Sequence, residues 1–140
     1  MKTVFCRSPN IGSLLLRTAL WSSWSHCGII LPDGSVIHAD AYQGGVVHES
    51  WNKFSWARTR LSTKFIELPD DDATHKFALD QIGKPYDWSG VIGIGIRRNW
   101  QADTAWFCSE LVEAACVAGG RQRFENNIWR VNPQHSWMVR

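Results

Sequence analysis

The sequence predicts an α+β domain in which an antiparallel, hairpin-rich sheet packs against helices. Two observations carry this prediction. Between residues 26 and 50, three short β-rich runs (HCGIIL, SVIHA and GGVVHES) are separated by the turn tripeptide PDG and by the four residues DAYQ, and the third run begins with a glycine pair. Elsewhere, three segments have helical composition or spacing: GSLLLRTAL, DDDATHKFALDQI and FCSELVEAACVA.

The first half of the chain is assigned one helix and three strands. Residues 12–20 form the helix, with Ser13 as a suitable N-terminal cap. The runs at 26–31 and 35–39 form a hairpin, because PDG places proline and glycine where a tight turn needs them. Residues 44–50 then add a third strand after a glycine pair.

The second half begins with a fourth strand at residues 62–68, where polar and apolar residues alternate. Three consecutive aspartates then favour a helix N-terminus, and the GKP tripeptide ends that helix. A glycine-rich loop is expected over residues 89–103, followed by a helix over 107–118 that ends at AGG. The tail, 121–140, is expected to be irregular, with one short strand.

The length of 140 residues fits one domain, spanning 1–140. The net charge of +2 is small and the basic residues are scattered, which argues against nucleic acid as a partner. No apolar run approaches a membrane span, and the first residues lack the apolar core of a signal peptide. We therefore expect a cytoplasmic protein, although a phage-type export route would leave no mark in the sequence. Nothing in the sequence indicates an oligomeric state.

The last predicted helix has a cysteine at its start. There the helix dipole and free backbone N–H groups favour a thiolate and could stabilise an oxyanion. The helix should pack inward through Cys108, Leu111, Val112, Ala115 and Cys116, which share one face. Cys116 is then a core residue, and Glu113 is expected in solvent.

Two histidines lie on the predicted hairpin, twelve positions apart. Cross-strand neighbours on one face lie about 5 Å apart, so His26 and His38 can orient one another. Cys27 should point to the opposite face and act as a buried packing residue. On residue types alone, the two histidines and Cys108 fit a Cys-His₂ zinc site as well as a catalytic triad.

Two segments resemble the halves of the NlpC/P60 cysteine peptidases. SHCGIILPDGSVIHADAYQGGVV resembles the half that carries the base histidine and its orienting histidine, and GKPYDWSG…WFCSELVEAAC resembles the half that carries the cysteine. The halves occur in reverse order. The chain is therefore similar to the circularly permuted papain-like proteins, specifically the YiiX/YaeF-like branch, which is related to the lecithin:retinol acyltransferase-like proteins.

This resemblance implies a nucleophile at Cys108, a base at His26 and an orienting group at His38. It places Tyr86 in the cleft, where its hydroxyl could donate to the substrate carbonyl or oxyanion. If His38 were not the third member, Asp40 or Gln43 would be the next choices. The resemblance implies no cofactor and no bound metal.

The residues before the cysteine depart from the NlpC/P60 pattern. Murein-cleaving members carry an aspartate there that can meet a substrate amine, whereas this chain has Trp106 and Phe107, which would contact an apolar part of the substrate.

The expected function is therefore that of a bacterial or phage cysteine hydrolase, a papain-like thiol protease or amidase. It would cleave a peptide, amide or acyl substrate, including cell-wall-derived ones, through a thioacyl-enzyme. Two alternatives stay open: a lipid-acting acyltransferase or thioesterase of the same superfamily, and a non-catalytic binding module that uses some of the nine tryptophans.

Overall fold

The computed structural model of the chain describes residues 1–68, 72–89, 104–125 and 131–139. The described elements are, in chain order, β1 (Lys2–Arg7), α1 (Ile11–Ala19), β2 (His26–Ile30), β3 (Val36–Asp40), β4 (Gly45–Glu49), α2 (Trp51–Arg58), β5 (Ser62–Glu67), α3 (Asp72–Asp80), α4 (Cys108–Ala118) and α5 (Pro133–Met138). Five strands form one antiparallel sheet in the order β4-β3-β2-β1-β5. The α+β prediction is confirmed. No helix in these described ranges is long and apolar enough to cross a bilayer.

The predicted hairpin is formed by β2 and β3, with Ile29 opposite Ile37. Its turn is closed by hydrogen bonds from the Leu31 N–H to the Ser35 carbonyl (2.8 Å) and from the Gly34 N–H to the Leu31 carbonyl (2.9 Å). Gly34 has a φ of +83°, a conformation that glycine adopts without strain. The PDG tripeptide therefore fixes the register between the two strands.

The sequence reasoning missed three elements. β1 lies between β2 and β5, and its KTVFCR run is too short and too evenly buried to show alternation. Helix α2 buries only Phe54, so it lacks an apolar stripe. The tail contains α5, which begins at an Asn132 cap followed by proline, and no strand lies in its described part. Most of the expected 89–103 loop lies outside the described residues.

Both faces of the sheet are covered by helices. On one face, sheet residues including Phe5, Cys27 and Ile29 share a core cluster with residues of α4, with Leu111, Val112, Ala115 and Cys116 among them. On the other face, Phe54 of α2 packs with Val4, Cys6 and Val36. The core role predicted for Cys116 is confirmed.

A buried ion pair ties α4 to α5. The carboxylate of Glu113 accepts hydrogen bonds from Arg123 (2.8 Å) and from the Ser136 hydroxyl (2.5 Å), and Glu113 is only 1% exposed. The expectation that Glu113 lies in solvent is wrong, because α5 and its neighbouring segment cover that side of the helix.

Strand β4 also positions the segment that carries Tyr86. The Val46 N–H donates to the Lys84 carbonyl (2.8 Å), and the Tyr86 N–H donates to the Gly44 carbonyl (2.8 Å). A Cβ at Gly45 would lie 2.4 Å from the Lys84 carbonyl oxygen. Only glycine therefore allows these two backbones to approach so closely.

We expect Gly45→Ala to lower the melting temperature and the free energy of unfolding, the latter by roughly 1–3 kcal/mol, because the clash is with backbone. Gly44→Ala is the matched control. Gly44 has a φ of +77° and nothing near its Cβ position, so alanine there costs only backbone strain, about 1 kcal/mol. Equal losses in urea unfolding would contradict the close-approach explanation.

Candidate active site

Helix α4 begins at Cys108, as expected for a residue exposed to the field of a helix N-terminus. The preceding residue, Phe107, has an extended backbone, and its N–H donates to Oε2 of Glu110 (3.1 Å). Burial raises the pKa of Glu110 to about 7, although this hydrogen bond opposes the shift. The N–H groups of the first helical turn have no acceptor within the helix and can therefore hold an anion.

The structure brings the two predicted histidines together. Nε2 of His26 lies 3.0 Å from Nδ1 of His38, and the two rings are perpendicular with centroids 4.9 Å apart. Phe54 packs over both rings. Gly28 makes room for the pair, because a Cβ there would lie 3.1 Å from Cβ of His38.

A buried carboxylate extends the histidine pair. Nε2 of His38 lies 3.2 Å from Oε2 of Glu49, which also binds Gln43 (2.6 Å) and Lys53 (2.7 Å) through its other oxygen. Burial disfavours ionisation of Glu49, but hydrogen bonds from Lys53, Gln43 and His38 more than offset it. The pKa of Glu49 is therefore below its usual value.

The sequence reasoning missed Glu49, although a signal was present. Asp40 pairs with Gly45 across the β3–β4 turn, which places Val36 opposite Glu49 and His38 opposite Val47. Residues two apart on a strand share a face, so Glu49 is a diagonal neighbour of His38. Counting along the hairpin from a tight turn would have identified it.

The network fixes which ring nitrogens carry protons. An ionised Glu49 only accepts, so the single N–H of a neutral His38 lies on Nε2. Nδ1 of His38 then accepts, and His26 must donate from its Nε2. The remaining nitrogen of His26, Nδ1, has no hydrogen-bond partner among the described residues, and its lone pair can act as a base.

Both histidines are neutral at neutral pH. Burial lowers the pKa of His26 well below its usual value, and the neighbouring His38 and Arg58 lower it further. Burial also lowers the pKa of His38, despite the opposing effect of its hydrogen bond with Glu49.

Asp40 and Gln43 have a different role from the one weighed for them. Arg58 forms an ion pair with Oδ2 of Asp40, and Gln43 donates to Asp40 (3.0 Å) and to Glu49 (2.6 Å). Burial opposes ionisation of Asp40, but Gln43 and Arg58 overcome it and hold the pKa of that carboxyl at about 2. Gln43 thus links the Arg58–Asp40 pair to the carboxylate behind the histidines.

Cys108 lies at the start of α4, on the side of β2 that carries Cys27. Its thiol faces Cys27: burial raises the pKa of Cys27 well above its usual value, and a hydrogen bond with Cys108 adds to the shift. Cys27 and His26 are consecutive in β2 and point to opposite faces. Because of this alternation, strand β2 lies between the Cys108 thiol and the His26 ring. Among the described residues, no hydrogen bond joins Cys108 to His26.

Tyr86 lies between these two groups. It belongs to the same core cluster as Cys108 and lines one cavity together with His26. Burial raises the pKa of Tyr86 well above its usual value, and the proximity of Cys108 adds to the shift. Its hydroxyl is therefore a proton donor at neutral pH.

The cavity beside His26 has a volume of about 290 Å³. It is lined by Ser8, Asn10, Gly12, Ser13, Leu15, Leu16, Ala19, Ser25, His26, Ala41, Tyr42, Arg58, Tyr86 and Trp88. Tyr86, which the resemblance assigned to a cleft, is one of these lining residues.

Trp106 and Phe107 do not line this cavity, contrary to the expectation that they contact substrate. Phe107 is 1% exposed and packs edge-on against Tyr86 from the core side. Trp106 packs against Phe77, and its indole N–H donates to Gln81 (3.2 Å). Both side chains face α3 and the core, because the segment before α4 runs alongside Tyr86.

The alternative of a zinc site needs three ligands in one place. Within the ranges that the structure describes, no three His, Cys, Asp or Glu side chains form a cluster that could hold a metal ion. His26, His38 and Cys108 therefore do not form such a cluster.

Comparison with known proteins finds solved structures of similar fold. The fold resembles the crystal structure of the metalloprotein YiiX from Escherichia coli O157:H7, of the group DUF1105, with a TM-score of 0.66 and 19% identity over 98% of this chain and 77% of that one. At this identity the likeness concerns the fold, and it agrees with the resemblance to the YiiX-like branch. No family model and no curated protein matches the sequence.

Proposed function

We propose that the chain is a papain-like cysteine hydrolase of the circularly permuted NlpC/P60 type, which cleaves an amide or ester bond. The observation that carries the proposal is the hydrogen-bonded series Glu49–His38–His26, which leaves a lone pair on Nδ1 of His26. A nucleophile needs a base, a group that orients the base and a field that favours the anion. His26, His38 and the N-terminus of α4 supply these three.

The reaction requires the Cys108 thiol, which faces Cys27 in the structure, to come within hydrogen-bond reach of Nδ1 of His26. Nδ1 of His26 takes the thiol proton, and the sulfur attacks the substrate carbonyl carbon to form a C–S bond. The oxyanion is held by N–H groups of the first turn of α4, with the Tyr86 hydroxyl as a further donor. His26 then returns the proton to the departing amine or alcohol. Water, activated by the same nitrogen, hydrolyses the thioacyl-enzyme and releases the acid.

His38 and Glu49 act on the base and not on the substrate. They keep the His26 proton on Nε2, and the Glu49 charge stabilises the imidazolium that forms during the reaction. Glu49, in contact with His38, is thus a fourth member of the proposed catalytic set.

The four cysteines are all free thiols, which is consistent with the reducing cytoplasm in which we place the protein. All four are also buried, and this makes thiol labelling a sharp test of the proposal. Only a thiol paired with a base should react quickly.

We expect iodoacetamide at or below neutral pH to label one cysteine quickly, and peptide mapping to identify it as Cys108. Cys108→Ala should abolish the fast phase, whereas Cys116→Ala should preserve it, since Cys116 is equally buried on the same helix. Slow and equal labelling of all four thiols would refute the proposal in favour of a non-catalytic binding module.

A further inference from the structure

A second concave surface lies on the face of the sheet that carries α2. We call it the aromatic groove, because Trp51 of α2 and Phe65 of β5 line it together with Ile30 of β2. Ile30 and Trp51 pack against the Phe54 cluster on this face. Among the described residues, the groove and the cavity beside His26 have no lining residue in common. The proposed hydrolysis therefore gives the aromatic groove no role.

Two aromatic rings lie side by side in the aromatic groove. The ring centroids of Trp51 and Phe65 are 5.8 Å apart, and the ring planes are inclined by 42°. Trp51 also packs on Phe54, at a centroid distance of 5.7 Å, whereas Phe65 is 44% exposed. The pair therefore forms a supported apolar surface on which a flat ligand can stack.

Polar side chains line the same groove. The turn between β2 and β3 contributes Asp33 and Ser35, and the start of α2 contributes Ser50 and Asn52. Asp33 accepts hydrogen bonds from the Ser35 N–H (2.9 Å) and the Ser35 hydroxyl (2.5 Å). These bonds lower the pKa of Asp33 below its usual value, so its carboxylate is an acceptor at neutral pH. A carboxylate, an amide and hydroxyls together can both donate to and accept from ligand hydroxyl groups.

The charges that line the groove balance one another. Lys2 is the only cation among the described lining residues, and its ammonium lies 4.0 Å from the Glu67 carboxylate and 5.0 Å from the Phe65 ring centroid. Asp33 is the only anion among them. This balance favours a neutral ligand over a phosphate or an amine. A purely aliphatic ligand is disfavoured as well, since it would take the polar side chains out of water without pairing them.

We propose that the aromatic groove binds a neutral oligosaccharide of pyranose rings with equatorial hydroxyls. Such a ring has C–H groups on its flat faces, which stack on Trp51 and Phe65, and hydroxyls around its edge, which bind Asp33 and Asn52. The groove has a volume of about 700 Å³, within the range of ligand-binding sites. At about 30 Å³ for each water-sized group, it accommodates roughly twenty non-hydrogen atoms, the size of a disaccharide. This binding site does not depend on the proposed hydrolase.

Titration of the full chain with cellotriose and with chitotriose tests the inference. The two sugars share a β-linked backbone and differ in one substituent on each ring, a hydroxyl in cellotriose and an acetamido group in chitotriose. We expect at least one of them to bind in isothermal titration calorimetry with a Kd of about 1 mM or lower. The bound sugar should shift the NMR signal of the Trp51 indole N–H. Sorbitol should bind at least about tenfold more weakly, because it has the hydroxyls but no ring face to stack.

Two tryptophans of α2 provide a matched pair. Trp51 lines the groove, whereas Trp56, which is 67% exposed, does not. Trp51→Ala should weaken trisaccharide binding about tenfold or more, and Trp56→Ala should leave it nearly unchanged. Phe65→Leu is a second variant should Trp51→Ala lower the melting temperature without ligand. It should also weaken binding, since leucine keeps an apolar side chain on β5 but has no flat ring.

Failure of both trisaccharides to bind at millimolar concentration would overturn the inference. Equal effects of the two tryptophan substitutions, or equal affinity for sorbitol, would overturn it too. Ester hydrolysis measured on the same preparation keeps the two proposals apart. Sugar binding without hydrolysis would support the aromatic groove and count against the hydrolase, and hydrolysis without sugar binding would do the reverse.

Discussion

Replacing Cys108 with alanine should reduce kcat/KM for ester and amide hydrolysis by about 10⁴-fold or more, since removal of a nucleophile leaves only the binding and oxyanion contributions. The fold should persist. The thiol is buried against Cys27, so its loss removes one sulfur atom and costs about 1 kcal/mol of unfolding free energy. Steady-state kinetics and urea unfolding on one preparation measure both effects.

Cys116→Ala is the control for this experiment. Cys116 lies two turns further along α4 on the same face and is 2% exposed, so its truncation has a similar packing cost. It should retain full activity. Activity that survives in Cys108→Ala, or that falls equally in the two variants, would show that Cys108 acts through packing and not as the nucleophile.

Replacing His26 with alanine should reduce kcat/KM about as much as loss of Cys108, because members of a catalytic set act as a unit.

Glu49→Gln should reduce kcat/KM less than His26→Ala, because glutamine can still accept a hydrogen bond from His38. Its distinctive effect is on the pH profile. The Glu49 carboxylate raises the pKa of His38, so removing the charge should move the acidic limb of kcat/KM to lower pH.

In the unmodified protein, that acidic limb should already lie below pH 6.5, since burial holds the His26 pKa well below its usual value. The same shift affects stability. Below about pH 6.5 the histidines of the unfolded chain bind more protons than those of the folded chain, so the free energy of unfolding should fall as pH drops through this range.

Glu67→Gln serves as the control for the pH profile, because Glu67 is a solvent-facing carboxylate on β5. It should leave the acidic limb in place. A limb that stays fixed in Glu49→Gln as well would mean that Glu49 supports the fold without tuning the base.

Local sequence signals recovered the parts of the fold that local chemistry determines. The PDG turn fixes the β2–β3 hairpin, and the contact between His26 and His38 follows from it. By contrast, β1 was missed because a short buried strand has no period that separates it from other apolar segments. Helix α2 was missed because its stability comes from a cap at Ser50 and from one buried ring, Phe54.

The residues of the candidate site were proposed from the sequence, but their arrangement was only partly predicted. The relation of Cys108 to the histidines depends on how α4 packs on the sheet, and no local pattern encodes that packing. Trp106 and Phe107 were expected beside substrate, but their neighbours Phe77 and Tyr86 draw them into the core.

The alternation of β2 has a consequence for how the hairpin can vary. A deletion of a single residue between β1 and His26 that the pairing absorbed as a one-step slip would turn every side chain of β2 over, and the Cys27 thiol would stand where the imidazole now stands. A two-step slip would keep each side chain on its face but would move the imidazole about 7 Å along the strand, away from its partner on β3. The proposed chemistry therefore depends on the number of residues in this segment, and on whether a change in that number is odd or even, as well as on the identity of the residues.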